Sequence, residues 1–375
     1  MTQEESIFND FTVNHGGLFT TQDIMVTHLR HYFSRSIEWN KEKCIVKRPP
    51  HIIFNFIDNV QFGAFADLKN KDYAIIGLYI GTKYLLTDIF NRMLSYNNLF
   101  LDIGDASKEI LSEPSIRNFY TNTTDLFEFG NLKQNEYYDY FQPIDETRHF
   151  FASHLTKLSL TFIFEHEISH IINGHIHYIK TIFDKSFTDN YNAELPLKVP
   201  LRTYQALEMD ADCSAVNSCT IIAINNSNPN NDYPDKAMKN LFTSREGALL
   251  DMFLAIYMTL RLMGDGRYRL EYVNHDVHAP NRVRQVQIMT TLIEYVDYLN
   301  KEHNLNISLP YLEAKMYERA RECERAYEVI TGNTINFDAF NKEYYAEHPL
   351  AGITLESWKK IRPDLMEFSF TNLAP

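Results

Sequence analysis

Two histidines four residues apart, with a glutamate directly after the first, form the segment of this sequence best suited to chemistry. The residues from His166 to His170 read His-Glu-Ile-Ser-His. In an α-helix, residues four apart lie one turn apart on the same face, so both imidazole rings can bind one Zn²⁺. Glu167 would then lie beside the metal, where its carboxylate can take a proton from a zinc-bound water. The segment therefore predicts metal-assisted hydrolysis of an amide bond.

The residues around this motif indicate a buried helix. A sequence with 14 histidines and 49 acidic residues contains the motif by chance in roughly 3 of 100 cases, so its context matters. Histidines on a buried helix are more often core residues than ligands, but two that flank an acid are costly to bury without partners. A bound metal removes that cost. The apolar residues that recur at helical spacing here are Leu155, Leu158, Phe162, Ile163, Ile168, Ile171 and Ile172.

A tetrahedral zinc site needs one more protein ligand than the two histidines supply. Residues 206–215 read as a second helix, in which Glu208 and Asp212 are four residues apart and share a face. One of the two can bind the metal, while the other accepts the second ring N–H of a ligand histidine. In the alternative interpretation, Glu208, Asp210 and Asp212 form only a solvated acidic face.

A different spacing of the third ligand does not fit this sequence. The pattern H-E-x-x-H-x-x-G-x-x-H requires glycine at position 173 and histidine at position 176, where this chain has Asn173 and Ile176. His175 and His177 follow Gly174, which is typical of a helix C-terminus, and neither has the required spacing. We therefore do not expect either of them to bind the metal.

The two helical segments together resemble the gluzincin zinc metallopeptidases. The first block of the resemblance is the motif at 166–170 with Gly-His at 174–175, and the second is Glu208-x-x-Ala211-Asp212. The pattern is more specifically similar to the Lit-type phage-exclusion peptidases and, more distantly, to the CAAX-prenyl-protease type. Both types are HExxH metallopeptidases, so the resemblance implies a zincin-like fold.

A third block of the resemblance lies at residues 278–284. Such families carry a His-Pro-x-x-x-x-Arg element, and here His278 and Arg284 have the same separation of six positions. The departure is Ala279, where the family has proline, although Pro280 can serve the same purpose in a first helical turn.

The resemblance assigns roles to the residues of the first two blocks. His166, His170 and Glu208 would bind one Zn²⁺ per chain, and the fourth position would carry water. Glu167 would act as general base and then pass the proton to the leaving amine.

Three further residues would support this centre. Asp212 would orient a ligand histidine, and Arg284 would pair with Asp212 or a neighbour and keep that carboxylate ionised. By resemblance, His278 would lie near the metal and donate a hydrogen bond to the oxyanion. The alternative for His278 is an ordinary loop histidine.

The elements that must position these residues are mainly helical. Helical patterns outnumber strand patterns, which predicts an α+β, predominantly helical fold with a small antiparallel or mixed sheet before the metal helix. By the same resemblance, an extended substrate would add to the exposed edge of that sheet. In the alternative interpretation these are ordinary core strands, and the sequence does not show which one lies at the edge. The predicted strands are at residues 52–57, 60–66 and 74–80. The predicted helices are at 22–37, 83–96, 150–173, 203–224, 244–263, 281–300 and 310–330.

The predicted organisation is a zincin-like metallopeptidase domain at 1–300 and a helical C-terminal appendage at 301–375. The first contains the strand unit (about 51–82), the metal helix (about 150–173), the third-ligand helix (about 203–224) and the His/Arg element (278–284). Candidate loops are at 125–139, 181–200 and 225–235.

Charge and composition argue against a nucleic-acid partner, a membrane span, secretion and a disulfide framework. The formal net charge of −13 argues against a nucleic-acid surface, because phosphate binding needs a basic face. No apolar run reaches the roughly 20 residues of a membrane span, and the N-terminus lacks the pattern of a secretory signal. The four cysteines are too scattered for a disulfide framework. We expect a soluble, cytoplasmic protein.

The sequence therefore predicts a zinc-dependent endopeptidase that acts on a cytoplasmic protein or peptide. Resemblance to the Lit type implies a setting in the bacterial response to phage. The alternative is a non-enzymatic binding or sensor module in which zinc only braces the fold. Structural zinc sites usually have four protein ligands, often cysteines. Here the motif and Glu208 supply three ligands, and Glu167 has no role in a purely structural site. Both observations favour the enzyme.

Overall fold

The computed structural model of this chain describes residues 2–21, 24–111, 142–184, 200–227, 244–263, 281–331 and 352–374. Most of these residues are helical, and three strands form one mixed sheet. The predicted α+β class with predominantly helical content is confirmed. The helices are α1 (Gln3–Thr12), α2 (Ile24–Glu42), α3 (Ile80–Leu94), α4 (Glu146–Ile172), α5 (His175–Phe183), α6 (Leu201–Asn226), α7 (Arg245–Met263), α8 (Asn281–His303), α9 (Leu309–Thr331) and α10 (352–365). The strands are β1 (His51–Ile57), β2 (Ala64–Leu68) and β3 (Tyr73–Tyr79), and short 3-10 helices lie at Val13–His15 and Ala106–Lys108.

The predicted helices are all present, whereas the second strand begins later than predicted. β2 starts at Ala64 and not at residue 60. The reason is a local turn, in which the side-chain oxygen of Asn59 accepts a hydrogen bond from the Gln61 backbone N–H at 2.9 Å. The predicted loop at 125–139 and most of those at 181–200 and 225–235 lie outside the described residues. Where they are described, residues 181–183 and 225–226 are helical and not loop, because the flanking helices extend further than predicted.

The sheet has the strand order β1-β3-β2, with β1 parallel and β2 antiparallel to β3. Because side chains alternate along a strand, the sheet buries residues on both faces. One face joins the main core with residues such as Phe54, Ile76 and Ala66, and the other packs Ile53 and Ile75 against α1. β2 is an edge strand among the described residues.

Helix α4 runs through the middle of the core. Its first turn is capped by the Asp145 side chain, which accepts the Arg148 backbone N–H at 3.2 Å. Every residue from 158 to 172 is buried, because α2, α3, α6, α7 and the sheet pack around this segment. The polar side chains of this segment must therefore find partners inside the protein.

The C-terminal segment packs on the end of α4. The Phe370 backbone N–H donates to the Ile172 carbonyl at 2.9 Å, and the Phe370 carbonyl accepts from the Val46 N–H at 3.1 Å. Trp358 and Leu365 of α10 are buried in the same apolar core as the sheet. The division into domains at residue 300 stays a prediction.

Within the described part of the chain, every helix is too short or too polar to cross a lipid bilayer.

Candidate metal centre

Helices α4 and α6 bring three potential ligands together. His166 and His170 lie one turn apart on α4, with their Nε2 atoms 3.0 Å apart. Glu208 on α6 reaches both rings: its Oε2 lies 3.2 Å from Nε2 of His166, and its Oε1 lies 3.6 Å from Nε2 of His170. All three residues are buried. The structure thus places the sequence-predicted ligands around one point, and they could hold a metal ion.

The distances and atom types fit a tetrahedral ion of zinc size. For metal–ligand bonds of about 2.0–2.1 Å, tetrahedral geometry places the ligand atoms about 3.4 Å apart. The separations of 3.0 to 3.6 Å among the three ligands bracket that value. Two imidazole nitrogens and a carboxylate are also a donor set that zinc accepts, whereas calcium and magnesium prefer oxygen ligands only.

Asp212 holds the outer nitrogen of the first ligand ring. Its Oδ1 lies 2.9 Å from Nδ1 of His166, and Arg284 on α8 donates to both of its oxygens, at 2.7 and 2.8 Å. Although burial favours the neutral acid, the Arg284 guanidinium keeps the pKa of Asp212 well below its usual range. Asp212 is therefore an ionised acceptor that fixes the orientation of the ring.

The second ligand ring has a different outer partner. Nδ1 of His170 lies 3.0 Å from Nδ1 of His175, and Nε2 of His175 lies 3.0 Å from Oδ2 of Asp210. The Asn173 side-chain amide donates to the same Asp210 oxygen at 2.6 Å. Sequence reasoning missed both His175 and Asp210 as parts of the centre. The sequence contained two signals for them. One was the Gly-His pair at 174–175, and the other was the position of Asp210 midway between Glu208 and Asp212.

All three carboxylates of α6 are buried. Glu208 is 3% exposed, Asp210 is 5% exposed and Asp212 is 1% exposed. The alternative interpretation of these residues as a solvated acidic face is therefore wrong. They instead lie against the histidines of α4 and α5.

A proton and a metal ion would compete for the ring of His166. Burial lowers the pKa of His166, but the carboxylates of Asp212 and Glu208 outweigh it and raise this pKa to about 10. The same negative charge that holds the proton would attract a cation. Metal binding at Nε2 would therefore release a proton at neutral pH.

Glu167 lies beside the ligands but faces another element. It is 8% exposed, and burial raises its pKa to about 7, a shift that His166 opposes and Glu208 reinforces. Its carboxylate interacts with the backbone of Ala66 in β2. A carboxyl group with a pKa near neutrality can both accept and return a proton at physiological pH.

Glu167 contacts the edge of β2 that faces away from β3. The β2–β3 ladder is continued by hydrogen bonds from Tyr79 N–H to the Gly63 carbonyl at 3.1 Å and from Lys69 N–H to the Tyr73 carbonyl at 3.0 Å. Backbone groups alternate in direction along an antiparallel strand. The N–H and C=O groups of Ala64, Ala66 and Leu68 therefore point away from β3.

Glu165, the residue before the motif, contacts α2 and not the ligand cluster. Its carboxylate accepts hydrogen bonds from Ser36 and, at 3.0 Å, from the Asn40 amide of α2. It therefore points away from the ligand cluster. His278, the predicted oxyanion donor, lies outside the described residues, and its role stays a prediction.

No protein-family model matches this chain, and neither a curated protein nor a solved structure shows significant similarity to it. The resemblance to the gluzincin metallopeptidases therefore rests on the residues of the three sequence blocks. Residues from all three blocks, including Arg284 of the third, meet in this centre.

Proposed function

We propose that this protein is a zinc-dependent endopeptidase that hydrolyses a peptide bond of a protein substrate. In this proposal His166, His170 and Glu208 hold the metal, and Glu167 is the general base. The observation that carries the proposal is the meeting of three buried ligands beside a fourth group, Glu167, that is not among them.

The protein's own residues account for the proton transfers and the orientation of the centre. Zn²⁺ held by this donor set would supply Lewis acidity, which polarises a carbonyl and lowers the pKa of water. Glu167 accepts the proton at its carboxylate and then donates it to the leaving amine, for which a pKa of about 7 is suited. Asp212 and Arg284 keep His166 oriented while this happens.

A peptide substrate is favoured by the edge of β2. An extended chain bound there would pair with the outward N–H and C=O groups of Ala64 and with the outward carbonyls of Ala66 and Leu68. The Leu68 N–H already donates to the Asp67 side chain at 2.7 Å, and the Ala66 backbone interacts with Glu167. Because Glu167 interacts with the Ala66 backbone, a peptide bound along this edge would lie beside the general base.

An enzyme is favoured over a zinc-braced binding module. Closed structural sites usually have four protein ligands, and the cluster found among the described residues supplies three. By the Lit-type resemblance, we further propose that the substrate is a cytoplasmic protein of a bacterial cell that responds to phage.

The test is a comparison of protein termini in cells that express the parent protein, Glu167→Gln or Glu146→Gln. Glu146 is exposed in the first turn of the same helix and provides a matched control. We expect new termini with the parent and Glu146→Gln, none with Glu167→Gln, and equal zinc content in all three. Equal cleavage by Glu167→Gln would overturn the assigned base. No cleavage by any of them would favour the binding module.

A further inference from the structure

The Nδ1 atoms of the two ligand histidines have different hydrogen-bond partners. His166 meets the Asp212 carboxylate directly, at 2.9 Å. His170 meets a second ring, His175, which in turn meets the Asp210 carboxylate, with both contacts at 3.0 Å. The inference below rests on the proposed metal site and concerns this second arrangement.

Metal binding would determine where the protons lie in the series of contacts His170–His175–Asp210. Nε2 of His170 faces the other ligands, so its lone pair must be available there and the ring proton must be on Nδ1. Nδ1 of His175 must then accept a hydrogen bond, which leaves the His175 proton on Nε2. That N–H donates to Oδ2 of Asp210. With His170 bound to a metal through Nε2, this is the arrangement of neutral rings in which every donor meets an acceptor.

The surroundings of Asp210 favour the same arrangement. Asp210 and His175 are both buried, so water cannot readily replace their hydrogen bonds. The Asn173 amide donates to the Asp210 oxygen that also faces His175, at 2.6 Å, and Asn173 donates to Ser214 at 3.0 Å. An acceptor that is already oriented by Asn173 fixes the donor nitrogen of His175.

The backbone at Gly174 makes this contact possible. Gly174 has a φ of +83°, which ends α4 and starts α5 at His175. The change of direction brings the His175 ring back against the last turn of α4. A histidine that followed on a continuous helix would be five residues, or about 500°, from His170 and would not share its face.

We propose that His175 and Asp210 are positioning residues, which hold His170 in the tautomer and orientation that leave Nε2 free for the metal. Neither residue contacts the metal or the substrate in this proposal. His175 acts as an acceptor toward His170 and as a donor toward Asp210, and these two roles can be separated by substitution.

The variants that separate the two roles are His175→Asn and His175→Gln. The Asn side-chain oxygen takes the place of Nδ1 and preserves the acceptor for His170. The Gln side-chain amide takes the place of Nε2 and preserves only the donor toward Asp210. His175→Phe removes both. Outer hydrogen bonds to metal ligands contribute about 10–100-fold to metal affinity.

Zinc affinity, measured by competition with a chelator, gives the first readout. We expect a loss of about 10–100-fold for His175→Gln and His175→Phe, and a smaller loss for His175→Asn. A purely structural role would give the opposite order, because Phe and Gln fill the buried space better than Asn. His177→Asn, on the same helix and outside the chain of contacts, is the matched control and should bind zinc like the parent.

A second readout uses the unsubstituted protein, so it does not depend on whether the variants fold. In the zinc-loaded protein with ¹⁵N-labelled histidines, we expect the NMR signals of His175 to show a proton on Nε2 and a bare Nδ1. A proton on Nδ1 of His175, or parent-like zinc affinity in all three His175 variants, would overturn the positioning role. A parent protein that does not bind zinc would instead overturn the proposed function.

Discussion

Arg284 and Asp212 form a two-point ion pair in the protein interior. Nε of Arg284 donates to Oδ2 of Asp212 at 2.7 Å, and Nη2 donates to Oδ1 at 2.8 Å. Because Oδ1 also meets Nδ1 of His166, one carboxylate on α6 connects a guanidinium on α8 to a ligand ring on α4. The orientation of the ligand therefore depends on three helices.

The first prediction concerns this ion pair. Arg284→Lys should lower zinc affinity by about 10–100-fold, because an ammonium group cannot hold both oxygens of Asp212 and the ring loses its fixed acceptor. Chelator competition measures the change. Arg261→Lys is the matched control, since Arg261 forms another buried ion pair, with Glu324 at 3.0 Å. This control should lose stability without a comparable loss of zinc. Parent-like affinity in Arg284→Lys would contradict the prediction.

The second prediction concerns metal removal. Without a cation, the charge of the buried Glu208 carboxylate is less well compensated, so a chelator should lower the unfolding temperature. Zinc at about 100 times its dissociation constant should add about 2.7 kcal/mol to the free energy of unfolding. A His166→Ala variant should respond much less to either treatment. If neither the chelator nor added zinc changed the unfolding temperature, the cluster would bind no metal.

The third prediction concerns Asp251, a buried residue of α7 away from the metal cluster. Burial raises the pKa of Asp251 to about 8 from an ordinary 3.8. Between these values the folded protein keeps a proton that the unfolded chain has lost, so stability falls as pH rises and levels off above about pH 8. Asp251→Asn stays neutral throughout.

The measurable quantity is the stability of Asp251→Asn relative to the parent at several pH values. This difference should increase with pH, by at most about 1.4 kcal/mol per unit between pH 5 and 8. Urea unfolding provides the free energies. A flat difference for Asp251→Asn would mean that its carboxyl is ionised in the fold.

The fourth prediction concerns Gly174, where α4 meets the C-terminal segment. Its φ of +83° costs a residue with a side chain about 1–2 kcal/mol. A Cβ atom there would also lie 2.4 Å from the Phe368 carbonyl carbon, which the backbone must move to avoid. Gly174→Ala should therefore destabilise the protein by more than the conformational cost alone.

Thermal unfolding and limited proteolysis of the C-terminal segment measure this effect. Gly352→Ala is the control, because a Cβ atom at Gly352 meets nothing within 4 Å. Equal unfolding temperatures for the two variants would contradict the described contact.

Spacing along each of two helices was enough to predict which side chains share a face. His166 and His170 share a face of α4, and Glu208 and Asp212 share a face of α6, because residues four apart on a helix always do. The same rule predicted the helices themselves. The contact between the two faces was predicted by the resemblance to the gluzincin metallopeptidases and not by the spacing.

The remaining contacts could not be predicted because they depend on helix directions and not on spacing. Asp210 lies about 200° around α6 from Glu208, so sequence reasoning gave it no place beside the ligands. Asp210 is connected to the ligands because His175 and Asn173 form hydrogen bonds with it on the other side of α6. The direction of α5 is set by the left-handed Gly174, and sequence spacing does not show that direction.

The metal content of the purified protein tests the central claim most directly. We expect about one zinc ion per chain by elemental analysis in the parent, and almost none in Glu208→Ala with the helical circular dichroism retained. Glu246→Ala, at an acidic residue in the first turn of α7, should keep its zinc. A folded parent protein that contains no zinc and binds none when zinc is supplied would contradict the account.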